Sequence, residues 1–300
     1  MKPILDECVW QPDRVLFRDL VFLLTQEQDG ADCSRTRAFD LFKGKWTLEQ
    51  YDRFWSHRPD FEAKSIVELG MWDGGSTALW FEFFQPDKLV AMDIMTKGDS
   101  EYFCEYVRSR NIESRISTHW GVDQSNAAQV GEIVASEFSR PLDLVIDDAS
   151  HMYRETQSSF EQLFPRLRPG GLYIIEDWAW SYFEEFQTPG HPWSVTTELS
   201  KLVMQLIEAN ASTQSFARRV REEPHGAETV REVLISDITV YPHFVVIERG
   251  DIGPERIEGF TVEDFISRRA SLPTRKLLRS KQTFRRRAGR IIRQIRRIRA

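Results

Sequence analysis

From Ser65 onward the chain alternates short apolar runs with stretches whose apolar positions recur at helical spacing. SIVELG (65–70), KLVAMDI (88–94), RISTHWG (115–121), LDLVIDD (142–148) and LRPGGLYIIED (167–177) read as strands. Their near-continuous apolar character is that of strands covered on both faces. Between them, helices are expected over STALWFEFF (76–84), near Glu101–Arg110, over Ala127–Phe138 and over Tyr153–Leu163. A helix at Val195–Glu208 follows, then VLISDITVYPHFVVIERG (233–250), which reads as two strands turning at Tyr241–Pro242–His243. This order predicts an α/β fold with a doubly wound, mostly parallel seven-stranded sheet closed by an antiparallel pair. Residues 1–63, with stretches such as KWTLEQYDRFWSHRPDF, read instead as an N-terminal addition of helices and aromatic-rich loops. The expected organisation is therefore 1–63 as that addition, 64–250 as the sheet domain, 251–272 as a linker or helix, and 273–300 as a tail.

Charge changes the picture at the C-terminal end. The whole chain of 300 residues carries a net charge of −6, but from Arg268 to Ala300 there are 14 Lys or Arg and no Asp or Glu. The first 267 residues are left with a net charge of −20, so an acidic body is joined to a basic tail. Within FRRRAGRIIRQIRRIRA, Phe284, Ala288, Ile291, Ile295 and Ile298 form one apolar helical stripe flanked by arginines. Such a helix suits an anionic membrane surface or an acidic protein face. Nucleic acid fits less well, because the tail lacks interleaved aromatic residues and the body repels phosphates. A composition 41% hydrophobic and 29% charged is that of a folded soluble protein. No run reaches the roughly 20 apolar residues of a membrane span. The opening MKPILDECVWQPDRV has acids where an export signal is apolar, so a cytoplasmic protein is expected. Cys8, Cys33 and Cys104 fit neither a zinc spacing nor a disulfide framework.

The candidate chemistry lies where strands end, since doubly wound folds bind ligands beyond the carboxyl ends of their strands. VELGMWDGGST places Gly70, Gly74 and Gly75 in a tight turn before a helix N-terminus. Trp72 stands where a dinucleotide fingerprint needs glycine, so a pyrophosphate cradle fits poorly. Asp93, at the end of the second strand, can accept hydrogen bonds from ribose hydroxyls. Glu68 suits a ligand with positive charge. Together these point to S-adenosyl-L-methionine, a phosphate-free cationic nucleoside. The fourth and fifth strands end in the pairs Asp147–Asp148 and Glu176–Asp177. As neighbours roughly 4.8 Å apart they would bring carboxylates together as hard ligands for Mg²⁺. Alternation leaves open which member of each pair faces the ion. His151 follows on the same loop as Asp148, where an imidazole can take a proton at neutral pH.

ELGxxxGGS, the Asp93 strand end, GVDQS (121–125) and VIDDASHMY followed by LRPGGLYIIEDW together resemble a family. It is the bacterial class I, metal-dependent sugar O-methyltransferases of macrolide and tetracenomycin tailoring, near the cephalosporin-hydroxylase-like proteins. The resemblance covers Ser65 to Trp178. It implies Asp148, Glu176 and Asp177 as Mg²⁺ ligands and His151 as the base. It also places Glu68, Gly70, Gly74, Ser76, Asp93, Asp123 and Asp147 around S-adenosylmethionine. A sugar, glycan or glycosylated small molecule is the implied acceptor, and a homo-oligomer the implied assembly. Trp178, Trp180, Tyr182, Phe183 and Trp193 either wall the acceptor or pack in the core. Two other functions compete. An iron hydroxylase needs two histidines and one carboxylate, and only His151 is placed for that. A non-catalytic scaffold gains nothing from intact acidic pairs.

Overall fold

The computed structural model describes residues 4–24, 37–187, 199–220, 233–253, 257 and 259–263. The chain divides into two compact units, Met1–Phe260 and Thr261–Ala300, and the elements named below belong to the first. Trp193 and the basic tail lie outside the described residues.

The sheet domain contains β5 (Ser65–Leu69), β6 (Lys88–Asp93), β7 (Ile116–Trp120), β8 (Leu142–Asp147), β9 (Leu167–Glu176), β10 (Ile235–Val240) and β11 (Phe244–Arg249). They form one sheet in the order β10-β11-β9-β8-β5-β6-β7. Strands β5 to β9 pair in parallel, and β11 is antiparallel to both β9 and β10. This is the expected doubly wound, mostly parallel seven-stranded sheet closed by an antiparallel pair. All residues of β5 and β8 are buried, as continuous apolar runs covered on two sides require.

Two crossover helices keep the expected bounds, at Glu101–Arg110 and Tyr153–Leu163, and the other two differ by one residue, at Gly75–Phe84 and Ala127–Glu137. The helix expected at Val195–Glu208 runs over Leu199–Val220.

The N-terminal segment departs from the helical expectation. It forms a second sheet from β1 (Cys8–Trp10), β2 (Arg14–Phe17), β3 (Leu20–Leu24) and β4 (Phe39–Leu41), followed by helix α1 (Lys45–Ser56). The signal was present in RVLF and LVFLL, where Val15, Phe17, Leu20 and Phe22 are buried and their neighbours less so. A two-residue period this short is easily lost among aromatic residues that also suit helices. Nor is the segment a separate body. Tyr51 of α1 stacks on Phe244 of β11 at 4.1 Å between ring centroids and meets Trp80 edge-on at 4.8 Å. On α1, Leu48, Tyr51, Phe54 and Trp55 recur at helical spacing and are all buried, so this helix seals one face of the sheet.

Close backbone approach sets the glycine turn. Gly70 has φ +82°, and a Cβ there would lie 2.2 Å from the Asp148 carbonyl oxygen. A Cβ on Gly75 would lie 1.9 Å from the Asp40 carbonyl oxygen of β4. The turn is thus clamped between the loop after β8 and the N-terminal sheet. Gly70→Ala combines a left-handed backbone with a backbone clash, and should lower unfolding stability in urea by about 2 kcal/mol or more. An unchanged urea midpoint would show that the two loops can separate freely.

Candidate active site

Strand alternation settles how the acidic pairs divide. On β8 and β9, Leu144, Ile146, Leu172 and Ile174 face the core beneath α1, and Asp148 and Glu176 continue that side. Asp147 and Tyr173 point to the other face. There Asp147 accepts hydrogen bonds from Tyr173 (2.7 Å), Ser159 (2.8 Å) and Gln124 (3.1 Å). This buried network ties β8 to the helix at Tyr153–Leu163, and through Gln124 it also receives the Ser150 amide. Asp147, expected beside the cofactor, has its oxygens engaged by these three side chains.

On the first face the organising group is one that sequence reasoning missed. The Lys43 ammonium, 3% exposed, donates to Asp148 Oδ2 at 2.5 Å and to Glu176 Oε2 at 2.7 Å. Tyr51 donates to the other oxygen of Glu176 at 2.7 Å. Burial opposes the charge of Lys43, but the two carboxylates outweigh it and push its pKa up. Of the three acids expected to hold a metal, Glu176 therefore faces Lys43 and Tyr51.

The other two meet His151. Its Nε2 lies 3.8 Å from Asp148 Oδ1 and 4.0 Å from Asp177 Oδ2. One ligand atom each from Asp148, His151 and Asp177 falls within 4.8 Å of the others, the spacing of donors that can share one cation. His243, which had no expected role, brings Nδ1 to 3.6 Å from Asp177 Oδ1. Burial works against ionisation of Asp177, but the nearby His243, His151 and Lys43 hold its carboxyl below the usual range. Asp148 and Asp177 against the one Lys43 ammonium leave a negative excess when both imidazoles are neutral, and Glu176, whose carboxyl burial and the neighbouring Asp148 push up to about 8, adds to it when ionised. That excess and the oxygen-rich donor set fit a divalent ion such as Mg²⁺.

Both turns that carry this group are backbone-strained. His151 has φ 55° and Asp177 φ 47°, left-handed conformations that cost a non-glycine residue on the order of 1–3 kcal/mol. Crossed hydrogen bonds hold them. Trp180 Nε1 donates to the His151 carbonyl at 2.8 Å, the Asp177 amide to the His243 carbonyl at 2.6 Å, and Trp178 Nε1 to the Tyr241 carbonyl at 2.8 Å. Trp178 and Trp180 thus brace the loop. Tyr182 and Phe183 are exposed, and so are Trp46 and Phe42 from the N-terminal segment. Trp46 packs edge-on against His243 at 4.7 Å, and Phe42 against Trp72 at 5.3 Å.

At the glycine turn, Asp93 accepts from the backbone amides of Met71 (3.1 Å), Trp72 (2.8 Å) and Met95 (2.9 Å). Gly74 is the left-handed N-cap of the helix that begins Gly75–Ser76. Asp123 is exposed and accepts from the Ser125 amide at 2.8 Å. Glu68 is fully buried and accepts from Thr77 Oγ1 at 2.5 Å. Its other oxygen has no partner, and burial raises the carboxyl to about 7. A cavity of about 510 Å³ opens elsewhere, where β8 and β9 begin, lined by residues such as Arg140, Leu142 and Leu167. It holds none of the cluster residues.

Fold and site together define a doubly wound, mostly parallel seven-stranded domain with a carboxylate–imidazole cluster beside its glycine turn. Residues 67–178 match the family described as "Methyltransferase domain". The chain is 30% identical over 227 residues to demethylmacrocin O-methyltransferase of Streptomyces fradiae, covering 73% of this chain and 52% of that protein. It is 33% identical over 171 residues to 8-demethyl-8-alpha-L-rhamnosyl tetracenomycin-C 2'-O-methyltransferase of Streptomyces olivaceus, covering 53% and 42%. A solved structure of the mycinamycin-pathway methyltransferase MycE, in complex with Mg and SAH, aligns with a TM-score of 0.49 and 27% identity, covering 76% of this chain and 56% of that one. The chain spans about half the length of these relatives.

Glu68 yields a pH prediction. Its carboxyl titrates near 7 when folded and near the ordinary 4.5 when unfolded, so the folded state holds the extra proton. Stability from this group is then present below about pH 4.5 and declines up to about pH 7. Glu68→Gln should gain stability relative to the parent across that window, on the order of 3 kcal/mol in total. Urea unfolding at pH 5 and pH 8 measures it, and an equal difference at both pH values would contradict the raised carboxyl.

Proposed function

We propose that the chain is a Mg²⁺-assisted, S-adenosylmethionine-dependent O-methyltransferase acting on a hydroxyl of a sugar, glycan or glycosylated small molecule. One observation carries this reading: the Asp148 carbonyl packs directly over Gly70, so the carboxylate–imidazole cluster adjoins the turn suited to the cofactor. Similarity to sugar O-methyltransferases supports the acceptor class.

Asp148 and Asp177 would hold the metal, and Glu68, Gly70, Gly74, Ser76 and Asp93 would surround the cofactor, with Asp123 at its rim. When bound, S-adenosylmethionine supplies an electrophilic methyl group and Mg²⁺ a positive charge that favours an ionised acceptor hydroxyl. The chain's own residues do the rest. His151 receives the acceptor proton at Nε2, the nitrogen that faces both Asp148 and Asp177. Asp177, steadied by His243, keeps that imidazole aimed into the cluster. Trp46 and Phe42 on one side, with Tyr182 and Phe183, offer exposed rings for the acceptor, while the bracing of Trp178 and Trp180 fixes the loop. Placement of the reacting groups then supplies much of the rate.

A second role for His151, as a third metal ligand, is favoured by its place within 4.8 Å of both acids. An iron hydroxylase is not favoured, since the three-residue group has a single imidazole. Calorimetry with S-adenosylmethionine and Mg²⁺ tests the whole reading. A parent chain that binds no S-adenosylmethionine would overturn it. Asp148→Ala should weaken Mg²⁺ by about tenfold or more. His151→Ala should keep Mg²⁺ affinity and lose about 10²–10⁴-fold in methyl transfer if it is the base. Loss of Mg²⁺ affinity instead assigns it as a ligand.

No helix among the described residues is long and apolar enough to cross a membrane. We place the protein in the cytoplasm, with the arginine-flanked stripe of residues 273–300 attaching it to the anionic inner membrane surface. Sedimentation with anionic liposomes should fall when those residues are removed. Unchanged sedimentation would exclude this attachment.

A further inference from the structure

The acidic centre already contains a cation. Asp148 splits its oxygens: Oδ2 receives the Lys43 ammonium at 2.5 Å, and Oδ1 faces His151 at 3.8 Å. Glu176 gives one oxygen to Lys43 and the other to Tyr51. Lys43 therefore sits inward, between the ends of β8 and β9, and the Asp148–His151–Asp177 group opens outward. A buried lysine costs desolvation, and this one reaches its place from the N-terminal segment, far from its partners in sequence. A mere filler of that position could be apolar. What an ammonium adds is one positive charge between two carboxylates that would otherwise repel each other.

We infer that Lys43 is a built-in cation that occupies the inner of two cation positions and so limits this centre to one divalent ion, on the outer side. The inference rests on the reading of the centre as a divalent-ion site. Lys43 is a positioning residue here: it holds Oδ2 of Asp148 and Oε2 of Glu176, leaving Oδ1 of Asp148 and the Asp177 carboxylate for the outer ion. Without Lys43, the carboxyl groups of Asp148, Glu176 and Asp177 meet with no ammonium among them. Glu176, freed from its partner, would then become a metal ligand.

The test is Mn²⁺ binding to the full chain, followed by electron paramagnetic resonance and calorimetry, for the parent and for Lys43→Met. The parent should take up one Mn²⁺. Lys43→Met should take up a second equivalent. A purely structural lysine would give no second ion, and equal stoichiometry in the two chains would overturn the inference. Lys43→Met strands the buried Glu176 and the half-buried Asp148 and can unfold without metal. In that event millimolar Mn²⁺ should restore its folded circular-dichroism spectrum, and failure to do so at any Mn²⁺ concentration also overturns the inference. The double variant Lys43→Met/Glu176→Gln removes charge and partner together, and should return to the single-ion behaviour. The two readings fail separately. A parent that binds no Mn²⁺ beside a Lys43→Met chain that does would retain the built-in cation and remove metal dependence from the proposed function. Identical single-ion binding would do the reverse.

Discussion

The buried ammonium of Lys43, 2.5 Å from Asp148 and 2.7 Å from Glu176, joins three parts of the chain that lie far apart in sequence. Two carboxylates at neighbouring strand ends repel each other, and their removal from water adds to the cost. A cation between them converts that cost into a tie. Breaking one partner of such a buried pair typically costs about 3–5 kcal/mol, because the remaining charge is stranded. The N-terminal sheet and α1 are thereby held to the sheet at the place where the chemistry is expected. Tyr51 adds a hydrogen bond to Glu176 and a ring stack on Phe244, so the same helix serves both electrostatics and packing.

The rest of the site is arranged around that tie. With one face of Asp148 engaged inward, its other oxygen is left to His151 and Asp177. The strained turns at His151 and Asp177 are held by Trp180 and by the β10–β11 hairpin through His243. Strain of this kind persists only where surrounding contacts over-determine it. The Gly70 turn lies against the Asp148 carbonyl, so a shift of either loop would be felt by the other. Glycine turn and carboxylate cluster are in this sense one mechanical object.

Much of this was legible from local pattern. Strands β5 to β9 and their helices follow from apolar runs and helical spacing, because a sheet covered on both faces demands them. The acidic pairs stood out because uncompensated carboxylates at strand ends need a reason. The N-terminal sheet was harder to read, since short alternating strands rich in Phe and Leu also satisfy a helical pattern. His243 was visible only as part of a YPH turn, and nothing near it in sequence marks Asp177 as its neighbour.

The sequence by itself determined the α/β architecture, the positions of the strand ends and the identity of the charged groups available there. Those properties depend on residues close together in the chain, through periodicity and turn chemistry. Which carboxylate faces which cation was decided only by tertiary structure. Alternation sends Asp147 to Tyr173 and Asp148 to Lys43, and strand register decides that Glu176 lies beside Asp148 on the core side. Lys43 is 133 residues from Glu176 along the chain, and no local pattern encodes a contact at that separation. Folding brings them together because α1 buries its aromatic face on the sheet, carrying with it the lysine just before the helix.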